Sequence, residues 1–125
     1  MERDIKKIVS QMTLEEKAGM LSGESFWKLK TVDRLNILSM RVSDGPHGLR
    51  KTSQDVDTLG IFDTKKATCF PAACSSACSF DKDLLHDMGD TLGKECQAED
   101  VAVLLGPGIN MKRSPLCGRN FEYYS

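Results

Sequence analysis

The sequence predicts an α/β fold with parallel strands, because three segments of its 125 residues together carry the pattern of a βαβ unit. The run VAVLL at 101–105 is apolar at every position, which is typical of a strand buried on both faces of a parallel sheet. A short strand is predicted at 40–43, and a strongly patterned helix at 82–97 precedes the apolar strand. The crossover of such a unit is right-handed in nearly all cases.

Two helices are predicted ahead of the first strand. The first carries an apolar stripe at helical spacing, formed by Ile5, Ile8, Val9 and Met12. Thr13 can cap a second helix over 14–21, because Glu16 stands where its side chain can reach back to the Thr13 amide in a capping box. Residues 24–38 lack a clear period and are predicted as loop with at most a short helix.

The region between the first strand and the long helix is predicted to be mostly surface. Residues 51–66 are polar, and residues 67–70 are predicted as another short strand that Pro71 ends. Asp81 is a favourable cap for the helix at 82–97. Gly89 and Gly93 on that helix would let its apolar face pack closely against a neighbour.

The composition is that of an ordinary globular protein and excludes several classes of partner. Apolar side chains make up 40% of the chain, and 17 basic against 18 acidic side chains give a net charge of −1. Without a basic surplus, neither nucleic acid nor an anionic membrane is expected as a partner. No apolar run approaches the roughly 18 residues of a membrane span, and the start, MERDIKKIVSQ, does not resemble a secretory signal.

The five cysteines favour a reducing compartment, and we expect a cytoplasmic protein. Their number is odd and their spacing irregular, so an oxidising environment would leave at least one unpaired. Cys69, Cys74 and Cys78 do not have the spacing of a zinc site, and the sequence has only two histidines. Neither a metal nor a cofactor is therefore expected.

The loop SDGPHGLR at 43–50 is the first candidate for function. Ligands bind at the carboxyl edge of parallel strands, and this loop follows the first predicted strand. Two glycines and a proline fix its path, so Asp44 and Arg50 can present a carboxylate and a planar guanidinium to the hydroxyls of a sugar. The alternative is an ordinary surface turn in which Asp44 bonds its own loop. His47 could contact a ligand or simply pack.

The stretch at 106–124 follows the second strand and is the second candidate. Lys112, Arg113 and Arg119 lie there together with aromatic side chains, which match the polar and apolar sides of a sugar ring. The alternative is a loop whose aromatic residues fill the core and whose charges are solvated. A dinucleotide loop is disfavoured, because Pro107 lacks an amide and the third glycine of that motif is absent.

Long stretches of the chain resemble the start of a glycoside hydrolase family 3 β-glucosidase. The most specific are DGPHGLR at 44–50 and KRSPLCGRNFEYYS at 112–125; MTLEEKAGMLSG, ATCFPAA and SFDKDLLHDMGDTLGKE follow the same order. The main departure is at Leu38 and Ser39, where the family usually has proline. The resemblance implies the N-terminal half of a (β/α)8 TIM-like barrel, truncated, since a full barrel takes about 250 residues. Residues 1–125 would be a partial barrel domain, followed in the parent by the rest of the barrel and an α/β sandwich.

The resemblance also implies roles for three side chains in subsite −1. Asp44 matches the carboxylate that binds hydroxyls of the non-reducing sugar, Arg50 closes the same loop, and Arg119 is the arginine of GRNFE that contacts this sugar. The aspartate nucleophile and the glutamate acid/base of the family come after the point where this chain ends, so no catalytic residue is expected within it.

The expected function is that of an enzyme fragment. The intact parent would hydrolyse terminal β-D-glucosides by a retaining mechanism, with a small β-glucoside or oligosaccharide as its partner, and the 125-residue piece alone would be inactive. Two alternatives stay open. One is a stand-alone carbohydrate-binding or partner-binding module using the same side chains, and the other is a phosphate or nucleotide binder using Lys112 and Arg113. The sequence sets no oligomeric state.

Overall fold

The computed structural model describes residues 4–52 and 64–125. Across these two ranges the helices and strands are α1 (Ile5–Gln11), α2 (Leu14–Gly19), β1 (Val42–Asp44), α3 (Ala73–Ala77), α4 (Lys82–Ala98) and β2 (Val103–Leu105). Short 3-10 turns occur at Asp33–Leu35 and Asn120–Glu122. The predicted surface excursion at 51–66 lies largely outside the described residues. None of the helices in the described ranges combines the length and apolarity of a membrane-spanning segment.

The strands β1 and β2 are parallel neighbours, which confirms the predicted βαβ arrangement. Their register pairs Val42 with Val103 and Asp44 with Leu105. Both strands begin two residues later than the apolar pattern indicated. Because the strands run in the same direction, the loops that follow Asp44 and Leu105 leave the sheet at the same edge.

The predicted capping box between α1 and α2 is confirmed. The Glu16 amide donates to Thr13 Oγ1 at 3.2 Å, and the Thr13 amide donates to Glu16 Oε2 at 2.8 Å. Arg34 reinforces this junction from the first 3-10 turn, donating from Nε to Glu16 Oε1 at 2.6 Å and from Nη2 to the Gln11 carbonyl at 2.8 Å. One guanidinium thus joins the end of α1 to the start of α2.

The long helix α4 confirms the prediction for 82–97 to within one residue at its end. Asp81 Oδ1 accepts hydrogen bonds from the amides of Asp83 and Leu84 at 3.0 Å, so the predicted cap is present. The helix buries Cys96, which packs with Leu49 and Val101 in a small core. Leu49 belongs to the loop after β1, so its contact with Cys96 packs that loop against α4.

The predicted strand at 67–70 is wrong. Its backbone pairs with a loop and a helix side chain instead of with a strand: the Phe70 amide donates to the His47 carbonyl at 2.8 Å, and the Thr68 amide donates to Glu95 Oε1 at 3.3 Å. The segment is extended, but an extended segment becomes a strand only when another strand lies beside it.

Two packing predictions are also wrong within the described ranges. Val103 and Leu105 in β2 are 42% and 50% exposed, so the described residues leave the strand face that carries these two side chains partly open. Gly89 and Gly93 do not mediate close packing, since a Cβ added at either position meets no heavy atom within 4 Å. Both sets of residues therefore face open space.

The ion pair between Glu16 and Arg34 makes stability depend on pH in a specific range. The hydrogen bonds from Arg34 and the Thr13 amide lower the pKa of Glu16 from 4.5 to about 2. A lowered folded-state pKa contributes stability above the unfolded pKa, and that contribution is lost as the pH falls from about 4.5 toward 2. Glu16→Gln keeps an acceptor for the capping box but removes the charge. We expect the melting temperature of this variant, made in the protein that contains the chain, to be lower than that of wild type at pH 6. The difference in melting temperature should be smaller at pH 3.

Glu15→Gln is the matched control, because Glu15 is an exposed neighbour in the same helix. Thermal melts at the two pH values measure both variants against wild type. The prediction would be contradicted if the difference in melting temperature between Glu16→Gln and wild type were the same at both pH values, or if it equalled the difference for Glu15→Gln.

Candidate functional site

The loop after β1 holds the Asp44 carboxylate at the edge of the sheet. The Gly45 amide donates to Asp44 Oδ1 at 2.9 Å, and the Arg50 amide donates to the Asp44 carbonyl at 3.0 Å. Arg50 Nη1 lies 3.4 Å from Asp44 Oδ2, and the side chains of both residues are about half exposed. The carboxylate is thus directed by its own loop, as the surface-turn interpretation anticipated, and remains accessible from outside.

Two glycines allow the tight path of this loop. Gly45 has a φ of +123° and Gly48 a φ of +142°, a region that side chains other than glycine rarely adopt. A Cβ at Gly45 would come within 2.1 Å of the Gly48 carbonyl oxygen, and one at Gly48 within 2.4 Å of the Thr68 carbonyl oxygen. The loop therefore closes on itself and lies directly against the extended segment at 67–70.

His47 holds the loop against α3. Its Nε2 accepts a hydrogen bond from the Ala73 amide at 3.0 Å, at the start of that helix. This contact favours the packing role that the sequence left open, although His47 also contributes to the wall of the cleft described below.

The loop after β2 brings Arg119 to the same edge. Gly106 lies so close to Pro46 that an added Cβ would be 2.6 Å from the proline Cβ, so the two loops pack on each other. Further along, the Tyr124 amide donates to the Gly108 carbonyl at 3.0 Å, which folds the chain back beside β2. Arg119 precedes the 3-10 turn Asn120–Glu122 and pairs with Glu122, with Nη2 and Oε2 separated by 2.7 Å.

The three side chains singled out in the sequence, Asp44, Arg50 and Arg119, line one open cleft of about 500 Å³. This volume lies within the range of about 300–1,000 Å³ that small-ligand sites occupy. The ion pair with Glu122 is the main cause that raises the pKa of Arg119, and the charge of Asp44 adds to the effect from across the cleft. The two loops therefore present one carboxylate and two guanidinium groups to a common space.

Glu122 lies in the stretch predicted as the second candidate, but its pairing with Arg119 and three further residues of the cleft were not anticipated. Glu122 pairs with Arg119 at a spacing of i and i+3, which predicts an ion pair only where a helical turn is expected. Lys65, Thr68 and Cys69 complete the opposite wall. They belong to segments assigned from sequence to a surface excursion and a strand, and nothing in their local pattern indicates that the chain returns to the site.

A larger groove of about 720 Å³ lies between α4 and the loop after β2. Its lining contains no charged side chain and includes Leu85, Met88, Leu92, Ile109 and Tyr124. Such a surface offers apolar contact area but few groups that could orient a polar ligand. In the described ranges, no group of three or more His, Cys, Asp or Glu side chains is placed to hold a metal ion.

No protein-family model matches the sequence. Comparison with curated proteins finds thermostable β-glucosidase B of Acetivibrio thermocellus, 60% identical over 122 residues, with 98% of this chain and 16% of the relative covered. An exo-α-(1→6)-L-arabinopyranosidase of Bifidobacterium longum is 46% identical over 118 residues and is likewise covered over 16% of its length. The chain therefore spans about one sixth of these relatives.

Solved structures agree in fold over nearly the whole chain. The Kluyveromyces marxianus β-glucosidase in complex with glucose matches with a TM-score of 0.86 and 42% identity, covering 98% of this chain and 14% of that one. The glycoside hydrolase family 3 β-glucosidase of Bifidobacterium adolescentis matches with a TM-score of 0.79 and 45% identity over 94% of this chain and 16% of that one. The chain therefore matches an N-terminal portion of glycoside hydrolase family 3 β-glucosidases.

The path of the loop after β1 should depend on Gly45 far more than on Gly118. Gly45→Ala forces a side chain into a positive φ and against the Gly48 carbonyl, a strain of about 1–3 kcal/mol. We expect a lower melting temperature of the protein that contains this chain, measured by thermal melts. Gly118→Ala is the matched control, because a Cβ there meets no heavy atom within 4 Å. Equal effects of the two variants would contradict this account of the loop.

Proposed function

We propose that the full-length protein containing this chain is a retaining β-glucosidase, which releases terminal non-reducing β-D-glucosyl residues. Asp44, Arg50 and Arg119 would bind the non-reducing sugar in subsite −1, Asp44 through paired hydroxyls. The observation that carries the proposal is the convergence of these three side chains on one cleft. The similarity to β-glucosidases, including one solved with glucose, supports the choice of sugar.

The charges of the cleft favour a neutral polyol over an ion. Asp44 and Glu122 would repel an anion, and Arg50, Lys65 and Arg119 would repel a cation. A hydroxyl both donates and accepts, so a sugar can bond to a carboxylate and a guanidinium at the same time. The phosphate or nucleotide alternative relied on Lys112 and Arg113, and neither of these residues lines this cleft.

The proposed chemistry needs groups that lie outside this chain. A retaining glycosidase uses two carboxyl groups about 5–5.5 Å apart, one as nucleophile and the other as acid and then base. In the proposal both come from later parts of the parent, and the role of the present residues is to hold the sugar ring in register with them. Positioning of this kind lowers the barrier without any bond being made by the positioning residues.

The same proposal gives the apolar groove a structural role. In an eight-stranded barrel each strand pairs with a strand on both sides, and the helices form an outer ring around the strands. The remainder of the barrel would then cover the groove along α4 and the open side of β2.

Cytoplasmic localisation stays a prediction, for which the five cysteines without disulfide partners are the supporting feature.

Removing the charge of Asp44 tests the binding role. Asp44→Asn keeps the size of the side chain but replaces charge-assisted hydrogen bonds to hydroxyls, each worth about 1.5–3 kcal/mol, with weaker neutral ones. We expect kcat/KM of the full-length protein for an aryl β-glucoside to fall about tenfold to a hundredfold. Asp90→Asn is the control, because Asp90 is an exposed residue of α4 that pairs with Lys94. Unchanged kinetics in Asp44→Asn would rule out the proposed role.

The 125-residue chain on its own separates an enzyme fragment from a stand-alone module. We expect no turnover of an aryl β-glucoside, because the nucleophile and the acid/base are missing, and we expect aggregation through the exposed apolar groove. The measurements are a glycosidase assay, light scattering and the fluorescence of a dye that binds apolar surface. A monomeric chain with a cooperative melt and measurable glucose affinity would instead favour the carbohydrate-binding module.

A further inference from the structure

Glu122 forms a close ion pair within the cleft, and the sugar-binding roles discussed so far do not use it. Arg119 Nε lies 3.1 Å from Oε1 and 3.0 Å from Oε2 of Glu122, and Nη2 lies 2.7 Å from Oε2. The carboxylate thus faces the Nε and Nη2 side of the guanidinium. The remaining N–H donors, on Nη1 and on the outer side of Nη2, are left on the opposite edge of the plane.

Arg119 needs such a partner because little else restrains it. Its side chain is 76% exposed, whereas that of Glu122 is only 27% exposed. A long exposed arginine samples many rotamers, and a planar, two-point contact with a carboxylate fixes both the position and the orientation of the guanidinium.

Glu122 is itself held by the backbone. Its amide donates to the Arg119 carbonyl at 3.1 Å within the 3-10 turn, and the next residue, Tyr123, forms a parallel bridge with Gly108. The carboxylate is therefore fixed relative to the loop that leaves β2. Through it, the orientation of Arg119 is tied to the sheet edge that also carries Asp44.

We propose that Glu122 is a positioning residue, which orients the Arg119 guanidinium so that its free edge donates to sugar hydroxyls opposite Asp44. The inference rests on the proposed binding role of Arg119. Glu122 acts through that arginine and makes no bond to the sugar, so its contribution vanishes when Arg119 is absent.

A double-mutant cycle in the full-length protein tests this directly. The variants are Glu122→Ala, Arg119→Ala and the two combined, with Glu15→Ala as an exposed control. The readouts are the inhibition constant for glucose and the kcat and KM for an aryl β-glucoside. We expect each single variant to weaken glucose binding about tenfold or more, and the double variant to be within about twofold of Arg119→Ala alone, as coupled residues behave. Glu15→Ala should leave all three constants unchanged.

The outcomes separate this proposal from the function on which it rests. Weak glucose binding in Arg119→Ala together with normal binding in Glu122→Ala, or additive losses in the double variant, would overturn the positioning role alone. Normal binding in Arg119→Ala would overturn the sugar-binding role of that arginine and the positioning role with it. If Glu122→Ala does not fold, Glu122→Gln replaces it in the cycle, because the amide oxygen can accept only part of the two-point contact. An intermediate loss of glucose affinity that disappears in the Arg119→Ala background supports the proposal. A loss of affinity that adds to that of Arg119→Ala overturns it.

Discussion

Parallel pairing of β1 with β2 is the constraint on which the whole site depends. The register aligns Asp44 with Leu105, so the loops that follow leave the sheet side by side and pack through Gly106 and Pro46. Residues far apart in the sequence therefore share one cleft. A shift of one residue would reverse the faces of the strand, exchanging Asp44 with Ser43, which is only 2% exposed. The carboxylate would then point into the protein, and the guanidinium groups would face each other without it.

Features encoded by residues close in the sequence could be predicted. The capping box of Thr13 and Glu16 and the cap at Asp81 depend on contacts between residues three positions apart, and both are present as expected. The convergence of the two loops was also predictable, because it follows from strand direction alone once two parallel strands are assumed. For the helix caps, both partners of the hydrogen bond lie within one turn of the sequence. For the two loops, the parallel topology places them at the same edge.

Features that depend on a distant partner could not be predicted. Residues 67–70 have the composition of a strand, but their amides bond to His47 and Glu95, whose proximity no local pattern reveals. The glycines of α4 and the apolar run in β2 indicate close packing, yet in the described residues the glycines line the open groove and Val103 and Leu105 are exposed. An apolar pattern predicts that a surface is buried, but it does not identify the segment that buries it. The pairing of Glu122 with Arg119 was not predicted for a related reason, since a 3-10 turn has too few residues to show a period.

Charge pairing explains how a cleft with several ionised groups can suit a neutral ligand. Asp44 lies near Arg50, and Glu122 pairs with Arg119, so these four charges are balanced before a ligand arrives, and Lys65 adds one further positive charge to the cleft. A sugar therefore meets groups whose charges are already compensated, and its hydroxyls exchange water for fixed donors and acceptors. The ion pairs are exposed and contribute little to folding, but they fix the direction of each side chain. The main contribution of these ion pairs is thus to orient the side chains, because the hydroxyl oxygens of a sugar ring have a fixed spacing that fixed donors and acceptors can match and free water molecules do not.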